Sequence, residues 1–175
     1  MKRISAMWFA MALVVASAST VSAQQGTYML VEGINGDQVA PHAREFKVNS
    51  VISAATAPMS LSSTGLAAGK ATFAPVKVSM PFHGPTNPLF YRSLVTGMKI
   101  PAIEVRFYNS MNRMFYKTVY GNALVTGVST QAADDAAQEV DFVYTTVRWF
   151  ASPDASGSTA PAQIGCWDIA AARAC

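Results

Sequence analysis

Charged residues are scarce in this chain, because Asp, Glu, Lys and Arg make up only 13% of its 175 residues. The 13 Lys and Arg residues against 10 Asp and Glu give a net charge of +3, and the basic residues are scattered singly. A surface that binds nucleic acid needs clustered basic side chains, so we expect no nucleic-acid partner. The hydrophobic content of 51% is enough to build a core, and the length suits one domain.

Metal-ligating side chains are also few. The chain has two histidines, His42 and His83, and only Glu45 lies near either of them at a ligand-like spacing. Zinc needs three or four such ligands held together, so we interpret both histidines as turn or edge residues and predict no metal site.

Motifs of catalysis and cofactor binding are absent as well. The segment Gly65–Thr72 differs from a phosphate-binding loop, because its spacing is one residue short and Ala71 stands where Ser or Thr is required. Asp134 and Asp135 lie in a polar turn, where neighbouring carboxylates are usually solvated. We predict that the protein is not an enzyme and has no cofactor.

The N-terminus has the pattern of a secretory signal peptide over residues 1–23. A basic Lys-Arg pair is followed by an apolar stretch to residue 18 and by small residues before a cleavage site between Ala23 and Gln24. A retained membrane anchor is the alternative, because residues 4–23 could just cross a bilayer. Cleavage predicts an exported protein, periplasmic or extracellular, with no stable membrane insertion.

The only two cysteines, Cys166 and Cys175, both lie near the C-terminus. In an oxidising compartment they could close a short loop, and export favours this bridge over two unpaired thiols. A loop of this size would gain about 2–3 kcal/mol in the chain-entropy model. The bridge would fix the tail and would not hold the domain together.

The mature chain is dominated by patterns typical of β-strands, with turn residues between them. One helix is predicted over Thr86–Gly97, with Pro88 at its first position and Gly97 at its end. Thr56–Lys70, rich in Ala, Ser, Thr and Gly, is predicted as a long exposed loop. The predicted strands cover residues 27–34, 44–52, 71–82, 102–108, 114–125 and 138–150.

These patterns predict a mainly β protein, a small antiparallel barrel or sandwich with one short α-helix. We place the domain at residues 24–152. Residues 153–175, which begin with a Pro/Ser/Gly/Ala-rich stretch, are predicted as a linker and C-terminal tail.

Several segments resemble one family when taken in order. They are residues 76–109, Met29–Asp37, Glu139–Trp149 and the Trp167-Asp168 pair. Together they are similar to the hemolysin-coregulated proteins, which form the inner tube of the bacterial type VI secretion machine. The resemblance covers nearly all of the mature chain.

This resemblance implies a barrel of two sheets with one helix at its side. It implies homo-hexameric rings that stack into a hollow tube, with a spike protein and small effector proteins as further partners. The loop matching Thr56–Lys70 lies near the ring-to-ring contact in the family, so the resemblance makes it a candidate ring-stacking element. The candidate residues are Ser60, Leu61, Thr64, Leu66, Gly69 and Lys70.

The signal peptide departs from the family pattern, because known tube proteins assemble in the cytoplasm without one. Two alternatives to a tube protein therefore stay open. One is an exported binding module on the same fold, independent of a secretion machine. The other is an enzyme that uses Asp134, Asp135 or His83.

Overall fold

The computed structural model describes residues 26–62, 65–131, 136–154 and 156–175, with backbone only for those of residues 60–68 that fall in these ranges. The predicted signal peptide with its cleavage site at Ala23 and Gln24 lies outside the described residues, as do Thr64, Asp134 and Asp135. Within the part that is described, no helix is long and apolar enough to cross a membrane.

The described residues form strands and one short helix, in agreement with the predicted mainly β class. The strands, in chain order, are β1 Gly26–Val31, β2 Phe46–Val48, β3 Ser50–Ile52, β4 Ala55–Thr56, β5 Met59–Ser62, β6 Gly65–Ala68, β7 Thr72–Phe73, β8 Val76–Pro81, β9 Ile100–Tyr108, β10 Met114–Gln131, β11 Ala137–Val143, β12 Thr146–Ala151 and β13 Ala162–Asp168. The helix, α1, is Asn87–Thr96.

Two antiparallel sheets share the 18-residue strand β10. Its first part pairs with β9 and β12, which gives sheet A the order β2-β1-β9-β10-β12-β13. Its second part pairs with β11, which gives sheet B the order β10-β11-β8-β3. Only Asn49 separates β2 from β3, so the chain passes there from one sheet to the other. In the described residues these sheets do not close into a barrel.

The core lies between the two sheets and is built by alternation along the strands. On β9, Ile103 and Val105 are each 1% exposed, whereas Glu104 and Arg106, which alternate with them, are on the opposite face. From sheet B, Val78 and Phe142 are fully buried. The alternation predicted for residues 102–108 is therefore confirmed, because a half-buried strand must place every second side chain in the core.

Helix α1 covers one side of this core. Proline stands in its first turn, and Gly97 ends it with a φ of 60°, a left-handed conformation that favours glycine. Phe90 is 1% exposed and packs against Phe46 with 5.4 Å between ring centroids. Thr86 is the N-cap residue, but its hydroxyl bonds to His83 rather than to the helix.

Five predicted segments differ from the structure. Residues 44–52 and 71–82 were each expected as one strand, but the first forms β2 and β3 and the second forms β7 and β8. Residues 138–150 were expected as one strand but form β11 and β12, because the chain leaves sheet B after Val143 and joins sheet A at Thr146. The expected loop Thr56–Lys70 contains two paired strands, β5 and β6. The expected linker and tail contain β13, which pairs with β12 over Ala162–Asp168. Each difference depends on which strands pair, which local composition does not specify.

Candidate assembly site

A long β-hairpin projects from sheet B, and we call residues 55–73 the hairpin arm. At its base, Ala55 pairs with Phe73; further out, Met59 pairs with Ala68. Between these ladders Gly69 N–H donates to the Pro58 carbonyl at 2.7 Å. A Cβ at position 69 would lie 2.7 Å from the Pro58 ring, so this close approach requires glycine. The arm is therefore a two-stranded ribbon along most of its length.

The candidate ring-stacking residues all belong to this arm, except that Thr64 lies outside the described residues. Leu61 is directly opposite Leu66, and Ser60 is opposite Ala67. Gly69 and Lys70 are exposed. The structure therefore brings the described candidates together on one ribbon, although sequence reasoning expected an unpaired loop.

Aromatic rings fix the base of the arm to the body. Phe73 meets Tyr144 edge to face at 6.4 Å between centroids, and Tyr144 meets Tyr120 at 4.7 Å. Tyr120 in turn meets the fully buried Phe142 at 5.3 Å. Such edge-to-face pairs contribute about 0.5–1.5 kcal/mol each beyond burial. This aromatic chain gives the arm a defined direction at its root.

The packing of Tyr144 at the root of the hairpin arm makes the stability of this region depend on pH. Burial, and then the charge of Tyr120, raises the pKa of Tyr144 from 10.0 to about 12. The folded state thus keeps a proton that the unfolded chain releases from about pH 10. The contribution of Tyr144 to the free energy of unfolding is complete below pH 10 and should be lost as the pH rises through 12.

We expect the free energy of unfolding to fall over this interval in urea titrations, and Tyr144→Phe to reduce the fall. Tyr91→Phe, a change at an exposed helix position, is the control. An identical pH profile for Tyr144→Phe and the native chain would contradict this assignment.

A buried polar network on the outer side of sheet A is centred on Glu45. Glu45 is 3% exposed, and its carboxylate accepts a hydrogen bond from the Arg106 guanidinium at 2.5 Å. Its second oxygen lies 2.9 Å from His42 Nδ1, and the Tyr108 hydroxyl donates to the first at 3.4 Å. A buried carboxylate needs such partners, because an unpaired charge inside a protein is costly.

Arg106 connects this network to the surface of sheet A. Its Nε and Nη2 both donate to Glu104 Oε2, at 2.8 and 2.6 Å. Burial alone would lower the pKa of Arg106, but its hydrogen bonds and ion pairs, first with Glu104 and then with Glu45, raise it. Burial, and then the charge of Glu45, raises the pKa of Tyr108. The raised pKa values favour a positively charged Arg106 and a neutral Tyr108 hydroxyl, which are the forms that donate hydrogen bonds to Glu45.

His42 is part of this network. Its ring stacks on Tyr28 with 3.8 Å between centroids, and Nε2 lies 2.8 Å from Asn112 Oδ1. His42 lies in a bend, as expected, but it is only 6% exposed. Its three-residue spacing to Glu45 was visible in the sequence, whereas its contacts with Tyr28 and Asn112 depend on the fold. The network fixes the loop between β1 and β2 against sheet A.

His83 lies in the turn before α1, and its Nδ1 is 3.0 Å from the Thr86 hydroxyl. In the described ranges no group of three or more His, Cys, Asp and Glu side chains is placed to hold a metal ion.

A cleft of about 310 Å³ borders the network. Leu30 and Ala102 form part of its apolar lining, and Glu32, Arg44 and Arg106 contribute charge. Arg44 has a φ of 71° and donates to Asn35 Oδ1 at 2.9 Å, which fixes the loop on this side. The cleft therefore presents both signs of charge beside apolar side chains.

Solved structures with this fold include a type six secretion system protein and several Hcp proteins. A type six secretion system protein is 19% identical, and the match covers 87% of this chain and all of that one with a TM-score of 0.76. Hcp1 from Salmonella typhimurium is 14% identical over 86% of this chain and 98% of its own, with a TM-score of 0.71. The secreted protein Hcp3 from Pseudomonas aeruginosa is 15% identical over 83% and 98%, with a TM-score of 0.60. At these identities the structures show a shared fold.

A search of curated proteins found no match to this chain. A family model, described as type VI secretion system effector, Hcp, matches residues 28–150. This segment includes the hairpin arm, the Glu45 network and both sheets as far as β12. The chain therefore belongs to the Hcp family of type VI secretion system effectors.

Proposed function

We propose that this protein is a structural, self-assembling secreted protein whose six-membered rings stack into a hollow tube. The tube would leave the cell under a spike protein and could carry small effector proteins in its lumen. The signal peptide predicted over residues 1–23 would deliver the chain to the periplasm or the cell exterior. The protein is not proposed to be an enzyme.

The observation that carries this proposal is the hairpin arm on an Hcp fold. The arm is a paired ribbon that extends away from the core, and its described exposed residues include Met59, at 68% exposure. The aromatic contact of Phe73 with Tyr144 fixes its root, so the ribbon can reach a second ring without losing its direction. A pre-ordered element binds at a smaller entropic cost than a disordered loop.

The ring is tested by the size of the purified protein. We expect sedimentation at about six times the mass of one chain, since cyclic assemblies close at a fixed number of subunits. A strict monomer at high concentration would contradict the ring.

Shortening the arm tests stacking separately. Because Pro58 and Gly69 are hydrogen-bonded, residues 59–68 can be replaced by Asn-Gly, which closes two-residue hairpins. We expect rings to form but tubes to be lost in electron micrographs, with at least about a tenfold reduction in stacked rings, because the contacting ribbon is gone. The control replaces only residues 63 and 64 by Asn-Gly and keeps both paired strands. Tubes of normal length in the shortened variant would refute the role of the arm.

The cleft beside Arg106 favours a second candidate function, an exported binding module. Its lining combines apolar side chains with Glu32 and Arg44, which suits a short charged peptide. Monomeric protein that binds such a peptide, and loses binding on Arg44→Glu, would favour this function over the tube.

A further inference from the structure

The C-terminus folds back onto the outer edge of sheet A. Strand β13 pairs on one side with β12 and is the last strand of that sheet. On its other side, Asp168 N–H donates to the Arg173 carbonyl at 2.8 Å, and Arg173 N–H donates to the Asp168 carbonyl at 3.2 Å. Residues 168 and 173 thus form an antiparallel bridge along an edge that would otherwise be open.

The disulfide continues this register. In an antiparallel pair that joins residue 168 to 173, residue 166 lies opposite residue 175, and these are the two cysteines. Their sulfurs are bonded, and their Cα atoms are 5.3 Å apart, close to the separation of about 5.5 Å for directly opposed residues. The Asp168 carboxylate also accepts a hydrogen bond from Ala171 N–H at 2.9 Å, which shapes the turn. We call residues 169–175 the edge cover.

The other half of β13 is protected in a different way. The register with β12 shifts between Trp149 and Phe150, so Ile164 is an extra residue of a β-bulge. A bulge interrupts the regular row of backbone groups that an incoming strand needs, and natural proteins place bulges on open edges. The regular part of the edge includes Cys166 and Asp168, which are the two positions that the edge cover joins.

We propose that residues 169–175 are a disulfide-locked cover over the edge of β13. Opening the Cys166–Cys175 bond then turns this edge into an acceptor for β13 of a second copy of the chain. The reductant is a dithiol. Its two thiols are oxidised to a disulfide, the Cys166–Cys175 bond breaks, and the two cysteines take up two electrons and two protons.

A second copy is the occupant that fits a freed edge. Two identical antiparallel edges pair about a two-fold axis, and each supplies the donors and acceptors that the other lacks. Cys175 is exposed and Cys166 half-buried, so a dithiol can reach the bond. This inference does not rest on the proposed tube. It concerns only the increase in mass when the Cys166–Cys175 bond opens, whatever the mass of the oxidised protein.

Hydrogen exchange of the full chain tests the cover. The Asp168 amide bonds to the cover, whereas the neighbouring Ile169 amide donates to the Thr145 carbonyl at 2.8 Å, on the β12 side. With dithiothreitol as the dithiol, and at a protein concentration at which sedimentation shows no pairing with a second copy, we expect exchange at Asp168 to accelerate at least about tenfold. Exchange at Ile169 should stay within about threefold, because local opening is confined to the cover. Unchanged protection at Asp168 after reduction would overturn the proposal.

Sedimentation tests the freed edge. The Cys166→Ser/Cys175→Ser variant should have at least about twice the mass of the oxidised native protein at equal concentration, because every chain offers one edge that accepts one copy. Cys166→Pro/Cys175→Ser is the matched variant. By strand alternation, the N–H of residue 166 points to the same edge as that of Asp168, so proline removes a donor there and leaves pairing with β12 intact. We expect it to keep the native mass. The proposal that the freed edge binds a second copy would be refuted by a Ser/Ser variant that keeps the native mass. A Pro/Ser variant that gains as much mass as the Ser/Ser variant would refute it as well.

Discussion

Replacement of Glu45 by alanine is expected to lower the free energy of unfolding by about 3 kcal/mol, in the range for breaking a buried ion pair by removing one partner. The Glu45 side chain is 4% exposed, so its charge is well shielded from water. Without it, Arg106 keeps its ion pair with Glu104 but loses its buried one, and His42 loses the carboxylate beside Nδ1. The effect should be near the lower end of that range because the Arg106 side chain is 24% exposed and partly hydrated. Urea unfolding at pH 7 measures it through the midpoint and slope.

The matched control is Lys77→Met on sheet B. Lys77 Nζ lies 3.6 Å from Asp141, but the two side chains are 51% and 28% exposed. Exposed pairs contribute about 0–1 kcal/mol, so this variant should unfold near the native midpoint. Equal losses for Glu45→Ala and Lys77→Met would show that burial of the network does not matter for stability.

Replacement of Phe90 by alanine is the second large effect, with an expected loss of about 3–5 kcal/mol. Phe90 is the fully buried aromatic residue of α1, and its ring fills the space against Phe46 of β2. Because the strands around it are fixed by backbone pairing, the cavity left by the ring cannot collapse completely. The helix would also lose its main anchor on the core.

Tyr91→Ala is the neighbouring control for this variant. Tyr91 follows Phe90 directly but is 40% exposed, so its removal leaves no internal cavity. We expect a change within about 0.5 kcal/mol, as for most surface substitutions. Denaturant midpoints of the two variants, measured at one protein concentration, compare them. A loss of similar size in both would mean that α1 does not depend on its buried face.

Much of the fold could be predicted because its signals are local. The alternation from Ile103 to Tyr108 is a property of consecutive residues. The same holds for α1, which has proline in its first turn and Gly97 at its end. Residues 138–150 show where local signals end. Their apolar pattern is compatible with one strand, but the divided pairing of β10 makes the chain change sheets after Val143.

The candidate assembly site was only partly predictable. The composition of Thr56–Lys70 distinguished it from the core strands, since small and polar residues bury little apolar surface. Its pairing as a ribbon was not predicted, because Leu61 and Leu66 give weak strand signals. The Glu45 network was missed for a different reason. Its members are separated by as many as 70 residues, as between His42 and Asn112.

By itself, the sequence determined the composition of the core, the alternating strands, helix α1 and the resemblance to the Hcp family. These depend on neighbouring residues and on motif order. Tertiary structure decided which strands share β10, how the hairpin arm is rooted on Tyr144, and that Cys175 lies beside the edge of β13. The physical reason is that strand pairing and buried polar contacts join residues far apart in the chain, and many pairings satisfy the same local pattern until packing selects one.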